Sequence, residues 1–228
     1  MPELTVGGER LQLLPDRAVY WPAARTLLVS DLHAGKGAVL RRGGIALPAG
    51  SSEMDLQRLG RLLGATGAVR LLVLGDFFHG RVAPDEPFWD AFEQFLGRHP
   101  RLAVQVVAGN HDRHARECAP GGLEWLTPGH WEGGLVFHHE PGDDPHGYVL
   151  AGHLHPRLLL RGPGGDRLRV AVFWFREHHA VLPAFGSLTA GVDVRPAPQD
   201  RVFIAGDEAV LAVPPPDPER IGPGRLSP

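Results

Sequence analysis

Five separate stretches of this sequence carry aspartate, asparagine and histidine in patterns suited to holding a metal. They are Asp31-Leu32-His33, Gly75-Asp76-Phe77-Phe78-His79, Gly109-Asn110-His111-Asp112, His138-His139-Glu140-Pro141 and Gly152-His153-Leu154-His155. Any one of them alone says little, because short motifs recur by chance and a single histidine beside a strand is usually a satisfied polar residue. Taken together they form an oxygen and nitrogen donor set without a thiolate, which suits Mn, Fe, Zn, Co or Ni. The donors outnumber what one tetrahedral ion takes, so two divalent ions are expected. A pair of ions ~3.5–4 Å apart is the arrangement used for in-line displacement at phosphorus. Two such cations outweigh the charges of Asp31 and Asp76. An anionic substrate would therefore meet a positive pocket although the chain carries a net charge of −3.

For these stretches to meet, the segments before them must be aligned. Thr26–Ser30, Arg70–Leu74, Leu102–Val107 and Tyr148–Ala151 are short apolar runs of the kind found in buried strands, and Leu135–His138 is a fifth. In an open α/β sheet, ligands bind beyond the carboxyl ends of the strands. The glycines at 75, 109 and 152 are expected to let the backbone turn sharply as it leaves the sheet. One helix is predicted to begin near Ser51–Ser52, with a serine capping its free amides and Leu56, Leu59, Leu62 and Leu63 on one face. A second opens at Pro87 and carries Phe88, Phe92, Phe95 and Leu96 before Gly97. Further strands are expected at Arg157–Arg161, Leu168–Phe175, Ala180–Leu182 and Arg201–Ala205, with Gly162-Pro163-Gly164-Gly165-Asp166 as a hairpin turn. This predicts an α/β fold of two packed mixed β-sheets flanked by helices.

In order and number the five blocks resemble those of the calcineurin-like metallophosphoesterase superfamily, over residues 31–155. A finer resemblance is to the DNA-ligase-associated metallophosphoesterases, a group assigned to the DNA damage response as endonucleases. It rests on Asp31-Leu32-His33-Ala34-Gly35-Lys36, His139-Glu140-Pro141, Phe173-Trp174-Phe175 and Leu182-Pro183-Ala184-Phe185-Gly186. The resemblance implies that Asp31, His33 and His155 bind one metal, that Asn110, His139 and His153 bind the other, and that Asp76 bridges both. A hydroxide between the ions, manganese by preference, would attack a phosphodiester, with His111 as general acid and Asp112 orienting that imidazole. His79 takes a supporting place, as in the related double-strand-break repair nucleases, and Lys36 and Arg113 are candidate phosphate contacts. Spacing alone leaves His138 and His139 as alternatives for the ligand, and the His-Glu-Pro block favours His139. By family association the partners would be DNA, a DNA ligase and a helicase.

The same centre would also serve an enzyme for a small phosphodiester or a phosphomonoester, because fold does not fix substrate. A non-catalytic scaffold would be expected to have lost ligands, whereas every expected position here is filled. His99, His114, His130, His146, His178 and His179 fall in no block and read as surface or packing residues. Arg41-Arg42 and the series Arg157, Arg161, Arg167 and Arg169 read as solvated strand and loop faces, with a channel for a phosphate backbone as the second reading.

The 228 residues suit one domain, expected over 1–213, followed by a Pro-rich tail over 214–228 with no fixed structure. Hydrophobic residues at 43% exclude a wholly disordered chain. The basic side chains are 22 Arg and Lys36, without the net positive charge usual in a nucleic-acid-binding domain. Cys118 is the single cysteine and cannot form an internal disulfide, which points to a reducing compartment. No apolar run approaches the ~18 residues of a membrane span. A soluble cytoplasmic protein that does not associate with a membrane is the expectation.

Overall fold

The computed structural model describes residues 1–83, 86–115, 121–162 and 164–215, and all but the first two positions of the expected tail fall outside them. The chain opens with three antiparallel strands, β1 (Glu3–Val6), β2 (Glu9–Leu14) and β3 (Ala18–Trp21), and β3 pairs antiparallel with β4 (Thr26–Val29). After α1 (Lys36–Arg42) and α2 (Ser51–Thr66) comes β5 (Arg70–Leu74). Then α3 (Phe88–Arg98) leads to β6 (Ala103–Val107) and β7 (Leu123–Leu126). Strands β4 to β7 are parallel neighbours, so their carboxyl ends emerge together along one edge of a seven-stranded mixed sheet.

The second sheet is built from β8 (His130–Glu132), β9 (Leu135–Phe137), β10 (Tyr148–Ala151), β11 (Arg157–Arg161), β12 (Arg167–Phe175), β13 (His179–Val181), β14 (Arg201–Ala205) and β15 (Val210–Val213). Its order is β15-β14-β12-β13-β10-β9-β8, and β11 pairs only with β12. Here β9, β10 and β13 run parallel. An isolated bridge from Ser30 to Ala184 ties the ends of the two sheets together.

Strand periodicity explains the layering. Leu27, Val29, Leu71, Val73, Val104 and Val106 point to one face of the first sheet and pack on Leu56, Leu59, Leu63, Phe92 and Phe95 of α2 and α3. The intervening Leu28, Leu72, Leu74 and Val107 point the other way, into a core shared with Leu135, Phe137, Leu150, Phe173, Phe175 and Phe203 of the second sheet. These strands are apolar on both faces because they lie between two layers. The expected fold of two packed mixed sheets with flanking helices is what forms, with the α2–α3 pair covering the outer face of the first sheet. No helix among the described residues is long and apolar enough to cross a membrane.

The capping expectation for α2 is corrected. Its N-cap is Gly50, in the left-handed region at φ 93°, and no side chain caps the end. The hydroxyl of Ser52 instead accepts a hydrogen bond from the Gly35 amide at 3.1 Å, tying α2 to the loop after His33. The second helix also runs past Gly97, to Arg98.

Candidate functional site

The loops that leave β4, β5, β6, β9 and β10 converge where the two sheets meet, and they bring the predicted residues onto one rim. Asp31, His33, Asp76 and His139 are at most 4% exposed. Among the described residues, eight non-glycine residues have positive φ. Five of them are on this rim: Asp31, His33, Asp76, His153 and His155, at φ 48–70°. Such conformations are unfavourable for most side chains and tolerated best by Asn, Asp and His. The loops are thus held in tight left-handed bends that turn the side chains inward.

The glycine expectation holds in the proposed sense only at Gly75, which has φ 81°. Gly109 and Gly152 are absent from the positive-φ set, and their role is space. A Cβ on Gly109 would lie 2.3 Å from Asp76 Oδ1, and one on Gly152 would lie 2.4 Å from Asp31 Oδ2.

Three of the ring orientations are set by partners behind the rim. His139 Nδ1 lies 3.1 Å from the Leu74 carbonyl and His155 Nδ1 lies 2.7 Å from that of Ala190, so each donates there and presents its Nε2 to the site. His33 Nδ1 pairs with His79 Nδ1 at 3.1 Å. Burial, followed by the charges of Lys36, His155, His79 and His111, pushes the pKa of His33 down to about 2, leaving it neutral. Burial and the neighbouring cations likewise bring His79 to about 4.

In front of the rim the acceptors face each other. His33 Nε2 lies 3.4 Å from His155 Nε2, which is 3.2 Å from Asp31 Oδ1. His139 Nε2 lies 2.9 Å from Asn110 Oδ1 and 3.1 Å from His153 Nδ1. Between these groups sits Asp76 Oδ2, at 3.5 Å from His139 Nε2, 3.7 Å from His33 Nε2 and 4.0 Å from His111 Nε2. Burial raises the pKa of Asp76, and the charge of His139 pulls it partly back. Burial alone would lower His155, but its hydrogen bond to Asp31 and the Asp31 charge outweigh that and raise it. Buried lone pairs and carboxylates crowded at such distances need a positive charge among them. The donor atoms of Asp31, His33 and His155 form one compact group able to hold an ion, and those of Asp31, Asp76 and His139 form another. The residues fit a metal centre.

The remaining predicted residues fall into place unevenly. His111 stands at the mouth, partly exposed and stacked on His79 with ring centres 4.8 Å apart. Lys36 lies close enough for Asp76 and Asp31 to act on it. Desolvation lowers its pKa, and their charges partly oppose that. Arg113 is exposed, and no hydrogen bond or ion pair among the described residues ties it to the rim. Asp112 departs from expectation: its carboxylate accepts from the amides of Gly109, Phe78 and Phe77 at 2.9, 2.9 and 3.3 Å, so it shapes the two loops, and among the described residues no hydrogen bond joins it to the His111 ring. Burial raises its pKa against those amides. Of the two adjacent histidines, His139 faces the rim, while His138 turns outward to Asp144 at 3.0 Å.

Sequence reasoning offered residues 183–192 as a loop packing near the site, with a structural job as its first reading, but did not find the carbonyls of Leu74 and Ala190 or the backbone hydrogen bonds of the strap over residues 183–187. In that strap Phe185 and Gly186 donate amides to Ser30 and Asp31 at 2.8 and 3.0 Å. Backbone groups leave no signature in residue identity, although the Leu182–Gly186 block marked the segment.

The calcineurin-like phosphoesterase family model matches residues 24–182, which include all five of the Asp, Asn and His stretches. Among solved structures, the nuclease MPE of Pseudomonas putida is 36% identical, with a TM-score of 0.81, covering 93% of this chain and 99% of its own. Yfce, a phosphoesterase from E. coli, covers 83% of this chain and 98% of its own at 16% identity and a TM-score of 0.45. No curated protein matches at a significant level.

Proposed function

Because the chain belongs to the calcineurin-like phosphoesterase family, and is by that membership a metal-dependent phosphoesterase, we propose that it cleaves phosphodiesters with two metal ions and that its polymeric substrate is DNA. The observation that carries the two-ion reading is the place of Asp76 Oδ2, within 3.5–4.0 Å of histidines on both sides of the rim. A carboxylate oxygen shared in that way is suited to bridging. In this reading Asp31, His33 and His155 hold one ion, Asn110, His139 and His153 hold the other, and Asp76 is common to both. The ions, manganese by preference for this oxygen and nitrogen set, would supply Lewis acidity, charge neutralisation and activation of water.

The chain's own groups do the rest. His111 is exposed enough to meet a substrate and donates a proton to the departing oxygen. His79 stacks on its ring and hydrogen-bonds His33, so it holds the acid and a ligand in fixed relation. Lys36, a cation at the edge of the rim, is placed to meet a non-bridging phosphate oxygen. The likeness to a nuclease supports a polymeric substrate. In this proposal DNA, a DNA ligase and a helicase are the partners, in the DNA damage response.

The test is hydrolysis of a chromogenic phosphodiester and of its monoester with Mn²⁺, with His111→Ala as control. Diester cleavage lost in the variant is the expected result. A preference for the monoester would replace this reading with that of a small-molecule phosphatase.

A further inference from the structure

The outer part of the hairpin, β11 with Arg167–Ala171 of β12, extends beyond the rest of the second sheet, which pairs with β12 only from Val172 onward, and β11 is bridged at Arg157 to Asp193. It begins two residues after His155. Its register places Arg157 opposite Ala171, Leu159 opposite Arg169 and Arg161 opposite Arg167, and these three pairs share one face. The other face carries Leu158 with Val170 and Leu160 with Leu168.

The arginine face is continuous with the rim. Segment 190–194 runs beside Leu154 and Arg157, with Val192 donating to the Leu154 carbonyl and Arg157 to that of Val192. The Ala190 carbonyl at the start of this segment is the one that orients His155. Asp193 in the same segment takes Arg169 at 2.9 and 3.0 Å and Arg157 at 3.7 Å. One carboxylate thus partly offsets the two arginines at the base of the hairpin. At the tip, Arg161 and Arg167 are both exposed, stand directly opposite each other and make no ion pair with a carboxylate among the described residues. Like charges facing across a strand pair are unfavourable for folding. With four residues at ~3.3 Å each, the tip pair lies about 13 Å beyond Arg157, a reach of a few nucleotides.

We propose that this arginine face is a track for the backbone of a DNA strand whose scissile phosphate lies at the rim, with Arg161 and Arg167 contacting phosphates a few nucleotides away. The inference rests on the phosphodiesterase reading above and adds to it the surface that would make the substrate a polymer. Arginine forks match phosphate oxygens, and such contacts position a strand without reading its sequence.

The experiment pairs a binding and a kinetic measurement on the full chain. Anisotropy of a fluorescein-labelled 20-mer of oligo(dT) is followed against salt, and kcat/KM is measured for the same 20-mer and for a chromogenic diester. In Arg161→Ala/Arg167→Ala, affinity is expected to fall about tenfold, and the salt slope by about 1.4, as for two lost single-strand contacts. The ratio of polymer to small-diester kcat/KM should fall by a similar factor. Arg161→Lys/Arg167→Lys, which keeps the charge, should retain most of the affinity. Unchanged DNA affinity and slope in the alanine variant would overturn the proposal and leave the arginines as guards of an exposed strand edge. A parallel fall on both substrates would also overturn it, by placing the effect at the catalytic centre. If the parent protein cleaves neither substrate, the phosphodiesterase reading fails separately, while the anisotropy still decides whether the track exists.

Discussion

His138 and His139 are neighbours in the chain, yet they serve two different clusters of histidine and aspartate. On the outward side, His138 Nε2 and His146 Nδ1 each find their own oxygen of Asp144, at 3.0 and 2.8 Å. Asp144 also accepts the His146 amide at 2.9 Å, and its pKa is held down to about 2 by that amide and by both imidazoles. Each of these contacts is complete with a proton. On the inward side, His139 and His155 have already spent Nδ1 on backbone carbonyls, and their remaining nitrogens point at other acceptors. A count of residue types would rate the two clusters alike. The difference lies in where the lone pairs point, and that is set by carbonyls, burial and left-handed loops.

That contrast can be broken at several points. The largest effect is expected from Asp76→Asn, which should strip metal from the protein and cut turnover by about 10⁴-fold, as for removal of one member of a group acting as a unit. Asp144→Asn, the matching change in the outer cluster, should leave metal content and rate within about twofold of the parent. Metal analysis of the purified proteins, together with kcat, checks both, and equal losses would mean that the clusters are not functionally distinct. His111→Ala should keep its metal and lose about 10²–10⁴-fold in rate, the usual worth of a general acid. Loss of metal along with rate would make His111 a ligand instead.

Gly109→Ala sharpens the role of space. Its Cβ would lie 2.3 Å from Asp76 Oδ1 and 2.4 Å from the Asp76 amide nitrogen, so Asp76 must move. A displacement of this kind is worth about 10²-fold in rate, and a fully active variant would show that the loop has slack. The smallest effect belongs to the pH dependence of the outer cluster. The depressed pKa of Asp144 means that its stabilisation is fully present above the ordinary value of 3.8 and is lost as pH falls toward about 2. Urea midpoints of the parent and of Asp144→Asn should therefore differ at about pH 5 and converge toward pH 2. A gap that persists at pH 2 would mean that the carboxylate charge is not what stabilises this cluster.

Much of this was legible in advance. The strands Arg70–Leu74 and Tyr148–Ala151 end where the residues said they would, because an apolar run followed by Gly and a polar residue is a local signal. The hairpin β1–β2 was also within reach: Gly7-Gly8 is a two-residue turn with φ of 56° and 78° between two strands, a pattern that marks hairpins from sequence. The choice between His138 and His139 was not. It depends on which side of β9 faces the core. Leu135, Val136 and Phe137 are all apolar and fully buried, so that strand has no polar face to fix its parity. Only the packing of Leu135 and Phe137 against the first sheet sends His139 inward.

The types and order of the blocks, and with them the donor chemistry and the family, came from the sequence because side chains and their spacing are written in it. The tertiary structure alone decided that Asp112 holds backbone amides, that Gly109 and Gly152 serve as space, and that Asp76 stands between the two halves of the rim. Each depends on groups from elsewhere in the chain: the amides of residues 77 and 78, the carbonyls of Leu74 and Ala190, and the strap at Phe185 and Gly186. Contacts of that kind exist only once the strands have come together, β5 beside β6 for Asp112 and Gly109 and one sheet against the other for the Leu74 carbonyl and the strap.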